Sequence, residues 1–352
     1  MPKNNNDVQK DVASAEVKKS PSEKKYVKKE KPILVVEDLK KYFPLGSSWL
    51  IKNKQYVKAV DGVSFTINQG ETLGVVGESG CGKTTLGRTI LRLHSITAGK
   101  VVYDDIDLVA ISKKEMTKLR PKIQIIFQDP YSSLSPRMTI GEIIGEAVRQ
   151  HGIVPKEEHR DYIIETMRLC GLPAYYYNRY PHEFSGGQRQ RISIARSLAL
   201  KPDLIICDEP VSALDVSIQS QIINLLVELQ ENMGITYIFI SHDLSVVKYI
   251  SDEIMVMYLG NVAEHGTTEQ IFNNTMHPYT KALLSAVPIP DPDTKKQRII
   301  LTGDIPSPAN PPKGCKFHTR CSECMDICKV VEPKLKEYEK GHKVACHLYP
   351  QD

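Results

Sequence analysis

Gly77-Glu-Ser-Gly-Cys-Gly-Lys83-Thr84 carries the densest chemistry in this 352-residue sequence. Glycines at this spacing let backbone N–H groups curl around phosphate oxygens. A helix that starts directly after them aims its positive end at the same anion. Lys83 would reach the β- and γ-phosphates of a nucleotide, and Thr84 would place its hydroxyl on Mg²⁺. The candidate nucleotide-binding residues here are Gly77, Ser79, Gly80, Cys81, Gly82, Lys83, Thr84 and Thr85. Further on, Leu204-Ile-Ile-Cys-Asp208-Glu209 is an apolar run closed by two carboxylates. Asp208 suits Mg²⁺, and Glu209 suits polarising an attacking water, help worth about 10²–10⁴ in rate. Alone, an apolar run ending in acids is a weak signal. Beside the glycine loop it becomes a strong one.

Ser185-Gly186-Gly187-Gln188 has the spacing of a capping box, so a helix starts here. Its apolar face continues through Ile192, Ala195 and Leu198 or Ala199. Read plainly, this is a well-capped helix. Two glycines at a helix N-terminus also make a second anion site. One nucleotide cannot easily sit on both loops of one chain, which implies a partner chain acting in trans.

Five of the eight cysteines fall in "GCKFHTRCSECMDIC" and "VACH". The spacing Cys315-x5-Cys321-x6-Cys328, followed by Cys346, is neither a ferredoxin nor a zinc-finger pattern. It reads as a four-thiolate site of undetermined metal, and Cys321-x2-Cys324 leans toward zinc. Cys81, Cys170 and Cys207 read as small hydrophobes.

These motifs need elements to hold them. Residues 1–31 are rich in Lys, Asn, Ser and Glu with no apolar period, and read as a disordered tail. "ILVVEDL" reads as a strand, and "VKAVDGVSFTI" as a strand pair with Asp61-Gly62 in or near a turn. The segment between them, with the single tryptophan Trp49, reads as a loop. From Gly99 to Phe127 short β-branched runs alternate with turns. "TIGEIIGEAVRQHG" has helical spacing, capped by Thr139 and Glu142 and ended by Gly152, and a second helix covers Arg160–Cys170. The α/β pattern returns with "DLIICDE", "SIQSQIINLLVELQ", "TYIFISHD" and "DEIMVMYLG". The expected organisation is an α/β nucleotide-binding domain over 32–287, with a β-subdomain and a helical subdomain inserted at 130–200. A proline-rich linker and a small irregular Cys-rich lobe fill 288–352.

Charge argues against nucleic acid: 46 basic against 42 acidic residues leave +4. No apolar run approaches the ~18–20 residues of a bilayer crossing. The N-terminus lacks an apolar signal-peptide core. The expected compartment is the cytosol, where thiols stay reduced and a cysteine cluster points to metal.

Taken in order, the motifs resemble those of ABC transporter ATP-binding subunits: Gly77–Thr84, Gln128 in "FQDP", Ser185–Gln188, Asp208-Glu209, "SALD" ending at Asp215, and His242 in "SHD". The resemblance implies a P-loop ABC-type fold, ATP and Mg²⁺ as ligands, and Thr84, Gln128 and Asp208 around the metal. It implies that Glu209, His242 and Lys83 act in catalysis, and that Asp215 communicates across a dimer. It also implies an aromatic stacked on adenine, Tyr42 with Phe43 as the rival. "HPYTKALLSAVP" and the cysteine segment resemble the C-terminal region of oligopeptide/dipeptide transporter ATPases. "FQDPYSSLSPRMT" and "RYPHEFSGGQRQRISIAR" look like their F-type subunit. Implied partners are a paralogous D-type ATPase, two membrane permeases and an external peptide-binding protein, with this chain peripheral on the cytoplasmic face of the membrane. Nickel or other small-solute uptake is the alternative within importers, and a soluble ABC ATPase the alternative outside them. Among the cysteines, the family positions match Cys315, Cys321, Cys328 and Cys346, where some relatives carry a [4Fe–4S] cluster. Cys324 is then extra. Zinc is the alternative, and His318 and His347 could join it.

Overall fold

The computed structural model describes residues 31–45, 55–287 and 298–350. The tail over 1–30, the Trp49 segment and part of the proline-rich linker lie outside these residues. Its strands, in chain order, are β1 (Pro32–Pro44), β2 (Tyr56–Asn68), β3 (Thr72–Val76), β4 (Ala98–Tyr103), β5 (Ile106–Asp107) and β6 (Ile123–Ile126), then β7 (Leu204–Asp208), β8 (Thr236–Ile240), β9 (Glu253–Tyr258), β10 (Asn261–Thr267), β11 (Lys336–Glu339) and β12 (His342–Val344). They form two sheets. The smaller, in the order β2-β1-β4-β5, is antiparallel. The larger runs β11-β12-β10-β9-β3-β8-β7-β6.

Strands β9, β3, β8, β7 and β6 are mutually parallel. Parallel strands are covered on both faces and must be apolar throughout. Every residue of β3, β7 and β8 is buried, as "TLGVV", "LIICD" and "TYIFI" require. One face of this sheet packs on the antiparallel sheet through Leu73, Val75, Ile206 and Ile240. The other packs on the helices through Ile205, Cys207, Tyr237 and Phe239. The alternation along each strand sends neighbouring side chains to different cores.

Helices α1 (Lys83–Ile90), α2 (Lys113–Leu119), α3 (Pro130–Ser133), α4 (Ile140–His151), α5 (His159–Leu169), α6 (Gly186–Leu198), α7 (Val216–Met233), α8 (Leu244–Ile250), α9 (Thr268–Asn273) and α10 (Pro278–Ser285) fill the connections. Helices α3 to α6 occupy the stretch expected to be a helical subdomain. Thr139 and Glu142 close a capping box on α4, and Ser185 and Gln188 close one on α6. Cys81, Cys170 and Cys207 are buried, Cys81 with the Lys83 ammonium 3.9 Å from its sulfur, and burial pushes the Cys170 thiol up to about 12.

Three details depart from the sequence reading. Asp61-Gly62 is not a turn between two strands but lies inside the continuous β2. Gly62 takes φ 83 opposite Asp38 at φ 44, where the β1–β2 register shifts. The extra residue is absorbed as a bulge, which bends the strand without reversing it. Second, the Gly99–Phe127 stretch holds α2, and the Ser112/Glu115 capping box at its start was the readable signal. Third, the Cys-rich lobe is not irregular throughout, because it carries the β11–β12 hairpin. Its last strand β12 pairs antiparallel with β10, so the lobe continues the central sheet.

Buried polar groups fix that junction. Glu264 accepts hydrogen bonds from the backbone of Met276 and His277 at 2.7 and 3.0 Å, and lies 2.9 Å from His342 Nε2 in the lobe. Burial lowers the His277 imidazole to about 4, so it stays neutral and its Nδ1 accepts the Tyr279 N–H that caps α10.

Candidate nucleotide site

The carboxyl ends of β3, β8, β7 and β6 lie side by side, and each delivers a motif. Open α/β sheets bind ligands at this edge. After β3 the chain enters the glycine loop and α1, after β8 comes His242, β7 ends in Asp208 and Glu209, and Gln128 follows β6. Distance in sequence is irrelevant here, because strand order sets the neighbours.

A cavity of about 680 Å³ opens over this edge. Ser79, Gly80, Gly82, Lys83, Thr84, Thr85, Gln128, Glu209 and His242 all line it. Gly77, Cys81 and Asp208 are buried and do not line it. Lys83 is buried, and its Nζ donates to the carbonyls of Gly77 and Glu78 at 2.7 and 3.1 Å. The ammonium is thus held over the loop. Gly82 adopts φ 109 as it turns the chain into α1, and a Cβ there would stand 2.1 Å from the Ala59 carbonyl oxygen.

Thr84 Oγ1 donates to Asp208 Oδ1 at 2.7 Å. Burial raises the Asp208 carboxyl above its ordinary range, although the Thr84 hydroxyl and Arg88 favour its charged form. A hydroxyl and a buried carboxylate at this separation fit a hard divalent cation bound by oxygen ligands. Glu209 takes a positive φ of 48, rare for a side-chain-bearing residue. Its N–H is anchored on the Ile240 carbonyl at 3.0 Å. Its Oε2 lies 3.1 Å from Gln128 Nε2 and 3.3 Å from His242 Nδ1. Strained backbone of this kind persists where surrounding structure over-determines it, and clusters at active sites.

Tyr42 is not among the lining residues; Phe43 is. Successive residues of β1 point to opposite faces, so only one of the two can face the cavity. The Tyr42 hydroxyl donates to Asp61, and Lys58 sits 5.4 Å from its ring. Phe43 meets His94 edge-on at 5.5 Å, with Lys41 over its face. Val57, Lys58, Ala59, Gly260 and Pro308 also line the cavity and were not singled out from the sequence. They carry no motif: Val57, Lys58 and Ala59 arrive on β2, Gly260 in the turn between β9 and β10, and Pro308 from outside the strands.

The Ser185–Gln188 loop and Asp215 lie elsewhere. Neither lines the cavity, and Ser185 and Asp215 are exposed. The two are neighbours: a Cβ on Gly186 would contact Leu214, and one on Gly187 would strike Ile218 at 2.4 Å.

In the C-terminal lobe, among the described residues, no group of three or more His, Cys, Asp or Glu side chains is arranged to hold a metal ion. The thiols of Cys315, Cys321 and Cys346 are raised first by burial and then by neighbouring cysteines, Cys315 to about 12 and Cys321 to about 11, with Cys324 as well as Cys328 and Cys346 among the neighbours of Cys321. Cys324 turns its thiol to the Met325 carbonyl at 3.6 Å. His318 Nδ1 and His347 Nε2 are each 2.8 Å from a backbone carbonyl.

Residues 60–212 match the ABC transporter family, and residues 263–328 match the oligopeptide/dipeptide transporter C-terminal region. The oligopeptide transport ATP-binding protein AppF of Bacillus subtilis is 53% identical over 320 residues, which cover 90% of this chain and 97% of that protein. The dipeptide transport ATP-binding protein DppF of Haemophilus influenzae is 50% identical over 320 residues, covering 91% and 98%. Among solved structures, the ATP-binding cassette MJ0796, in a post-hydrolysis dimer bound to ADP and Pi, matches with a TM-score of 0.60 at 30% identity, covering 67% of this chain and 98% of that one. Clostridium perfringens cbiO1, part of the ABC transporter complex cbiONQ, gives 0.60 at 29% identity, covering 70% and 93%. The chain therefore belongs to the ABC transporter ATP-binding proteins, in the branch that carries the oligopeptide/dipeptide transporter C-terminal region.

Proposed function

We propose that this ABC ATPase powers import of oligopeptides or dipeptides, bound on the inner side of the membrane to two permeases and paired with a second, D-type ATPase. The observation that carries the pairing is the separation of its two anion-binding elements. The loop before α1 opens on the cavity, while Ser185, Gly186, Gly187 and Gln188 do not line it, and Ser185 is exposed with Gly186 and Gln188 partly so. Each cavity is then completed by the other chain's Ser185-type loop, with Asp215 beside the seam. Among the described residues, no helix is long and apolar enough to cross a membrane, so the membrane contact falls to other subunits.

Within this reading Lys83 and the Ser79–Thr85 backbone hold the nucleotide phosphates, and Phe43 stacks on the base. Mg²⁺, when bound, supplies positive charge that offsets the charge developing on the phosphoryl oxygens. Thr84, Asp208 and Gln128 are the residues that would hold it. Glu209 orients water and accepts its proton, with His242 and Gln128 fixing the carboxylate. The test is peptide uptake in proteoliposomes holding all subunits. Labelled oligopeptide should accumulate only with ATP, and Ser185→Arg in this chain should abolish uptake while this chain still binds ATP. Uptake that survives Ser185→Arg, or that carries nickel instead of peptide, would reject the reading.

For the lobe, the reading is a metal site on Cys315, Cys321, Cys328 and Cys346, with a [4Fe–4S] cluster ahead of zinc. Support comes from the mutual influence of the cysteines around Cys315, Cys321 and Cys346, and from the backbone contacts that occupy His318 and His347. Burial disfavours lone thiolates, and a bound metal would reverse that cost. Anaerobically purified protein should carry about four irons per chain, as four-cysteine clusters of this type do. Protein with neither iron nor zinc would sink the assignment.

A further inference from the structure

Arg320 belongs to the cysteine segment, yet its guanidinium ends on the phosphate loop. Nη1 and Nη2 donate to the two carboxylate oxygens of Glu78 at 2.6 and 3.0 Å. The pair joins residues 242 positions apart, and both side chains are largely withdrawn from water, 7% and 23% exposed. A planar fork on a carboxylate is the geometry that best fixes orientation. Glu78 is the second residue of the glycine loop. Its carbonyl accepts from Lys83 Nζ, and its N–H donates to the Tyr279 hydroxyl at 2.8 Å. Phe317, three residues before Arg320, packs on Tyr279 and Tyr258 with ring centroids 5.2 Å apart in each case. The lobe therefore holds Glu78 by its carboxylate and backs the tyrosine that holds its N–H.

Two more contacts tie the same region to the cavity wall. The Lys58 N–H donates to the Pro308 carbonyl at 3.4 Å, and both residues line the cavity. Lys316 Nζ pairs with Asp61 at 3.1 Å on the strand that carries Lys58 and Ala59. Arg320 differs from these in acting on a carboxylate of the phosphate loop itself. A carboxylate in the loop that must receive a polyphosphate would repel it. The arginine cancels that charge and fixes where it points.

We infer that Arg320 is a positioning residue for nucleotide binding: from the C-terminal lobe it neutralises Glu78 and holds the phosphate loop in its receptive shape. This rests on the reading that Gly77–Thr84 takes the nucleotide phosphates. The experiment is an ATP titration of hydrolysis in the assembled transporter, comparing Arg320→Ala, Arg320→Lys and Glu78→Gln/Arg320→Ala with the unaltered protein. Arg320→Ala should raise KM for ATP about tenfold, or about 1.4 kcal/mol, with a much smaller change in kcat. Arg320→Lys, which keeps the charge but loses the fork, should fall between. Removing the stranded carboxylate in the double variant should bring KM back to within about threefold, the signature of direct coupling. An unchanged KM in Arg320→Ala, or a raised KM that Glu78→Gln does not restore, would overturn the inference and leave Arg320 as lobe packing only. ATP binding to isolated Lys83→Ala protein separates the two levels. Lost binding there upholds the phosphate-loop reading whatever Arg320 does, and retained binding would overturn both.

Discussion

Glu209→Gln should slow ATP turnover by about 10²–10⁴, the usual worth of a general base, while leaving ATP bound. The substitution keeps the shape of the side chain. An amide can still reach Gln128 and His242, which lie 3.1 and 3.3 Å from the carboxylate in the unaltered protein. What it cannot do is accept a proton from water. The positive φ at 209 is held by the Ile240 carbonyl and the neighbouring strands, so the backbone should survive the change. The expected result is a long-lived ATP-bound dimer with the partner ATPase, read as retained unhydrolysed nucleotide after gel filtration. Hydrolysis at the ordinary rate would remove Glu209 from the chemistry and shift attention to His242.

Gly82→Ala should abolish nucleotide binding outright. Two penalties act at once. The residue sits at φ 109, where a side chain is strained, and the new Cβ would lie 2.1 Å from the Ala59 carbonyl oxygen. That oxygen belongs to backbone and cannot rotate away. Strain of this type costs about 1–3 kcal/mol before any clash is counted. Relief requires α1 to pull away from β2, which carries Lys83 and Thr84 out of the cavity. Thermal unfolding and nucleotide fluorescence on the same sample would separate the effects. A Gly82→Ala protein that bound ATP normally would mean that the loop is far softer than its contacts suggest.

The parts of this molecule that were legible in the sequence share a property: their information is local. The glycine loop, the Thr139 and Ser185 caps, and the apolar runs of β3, β7 and β8 each declare themselves within a few residues. The convergence of Lys83, Gln128, Glu209 and His242 was legible for another reason, namely that parallel strands put their carboxyl ends on one edge. What escaped depends on pairing between distant segments. Whether Tyr42 or Phe43 faces the cavity is a matter of strand phase, and β1 shifts register at several points along β2. Asp61-Gly62 looks like a turn until its partner strand shows it to be a bulge. Pro308 and Arg320 lie in a proline- and cysteine-rich stretch with no periodicity, so nothing local could place Pro308 on the cavity wall or Arg320 against Glu78.

The pairing of β12 on β10 also decides what borders the central sheet. Without the last hairpin, β10 would end the central sheet, presenting "NVAEHGT" with five consecutive buried residues to any strand that came by. Open strand edges recruit other chains. The hairpin replaces it with β11, four residues reading Lys-Glu-Tyr-Glu, short and charged. The C-terminal segment thus shields the sheet as well as bracing the phosphate loop, and a chain cut before Lys336 would trade a guarded border for an adhesive one.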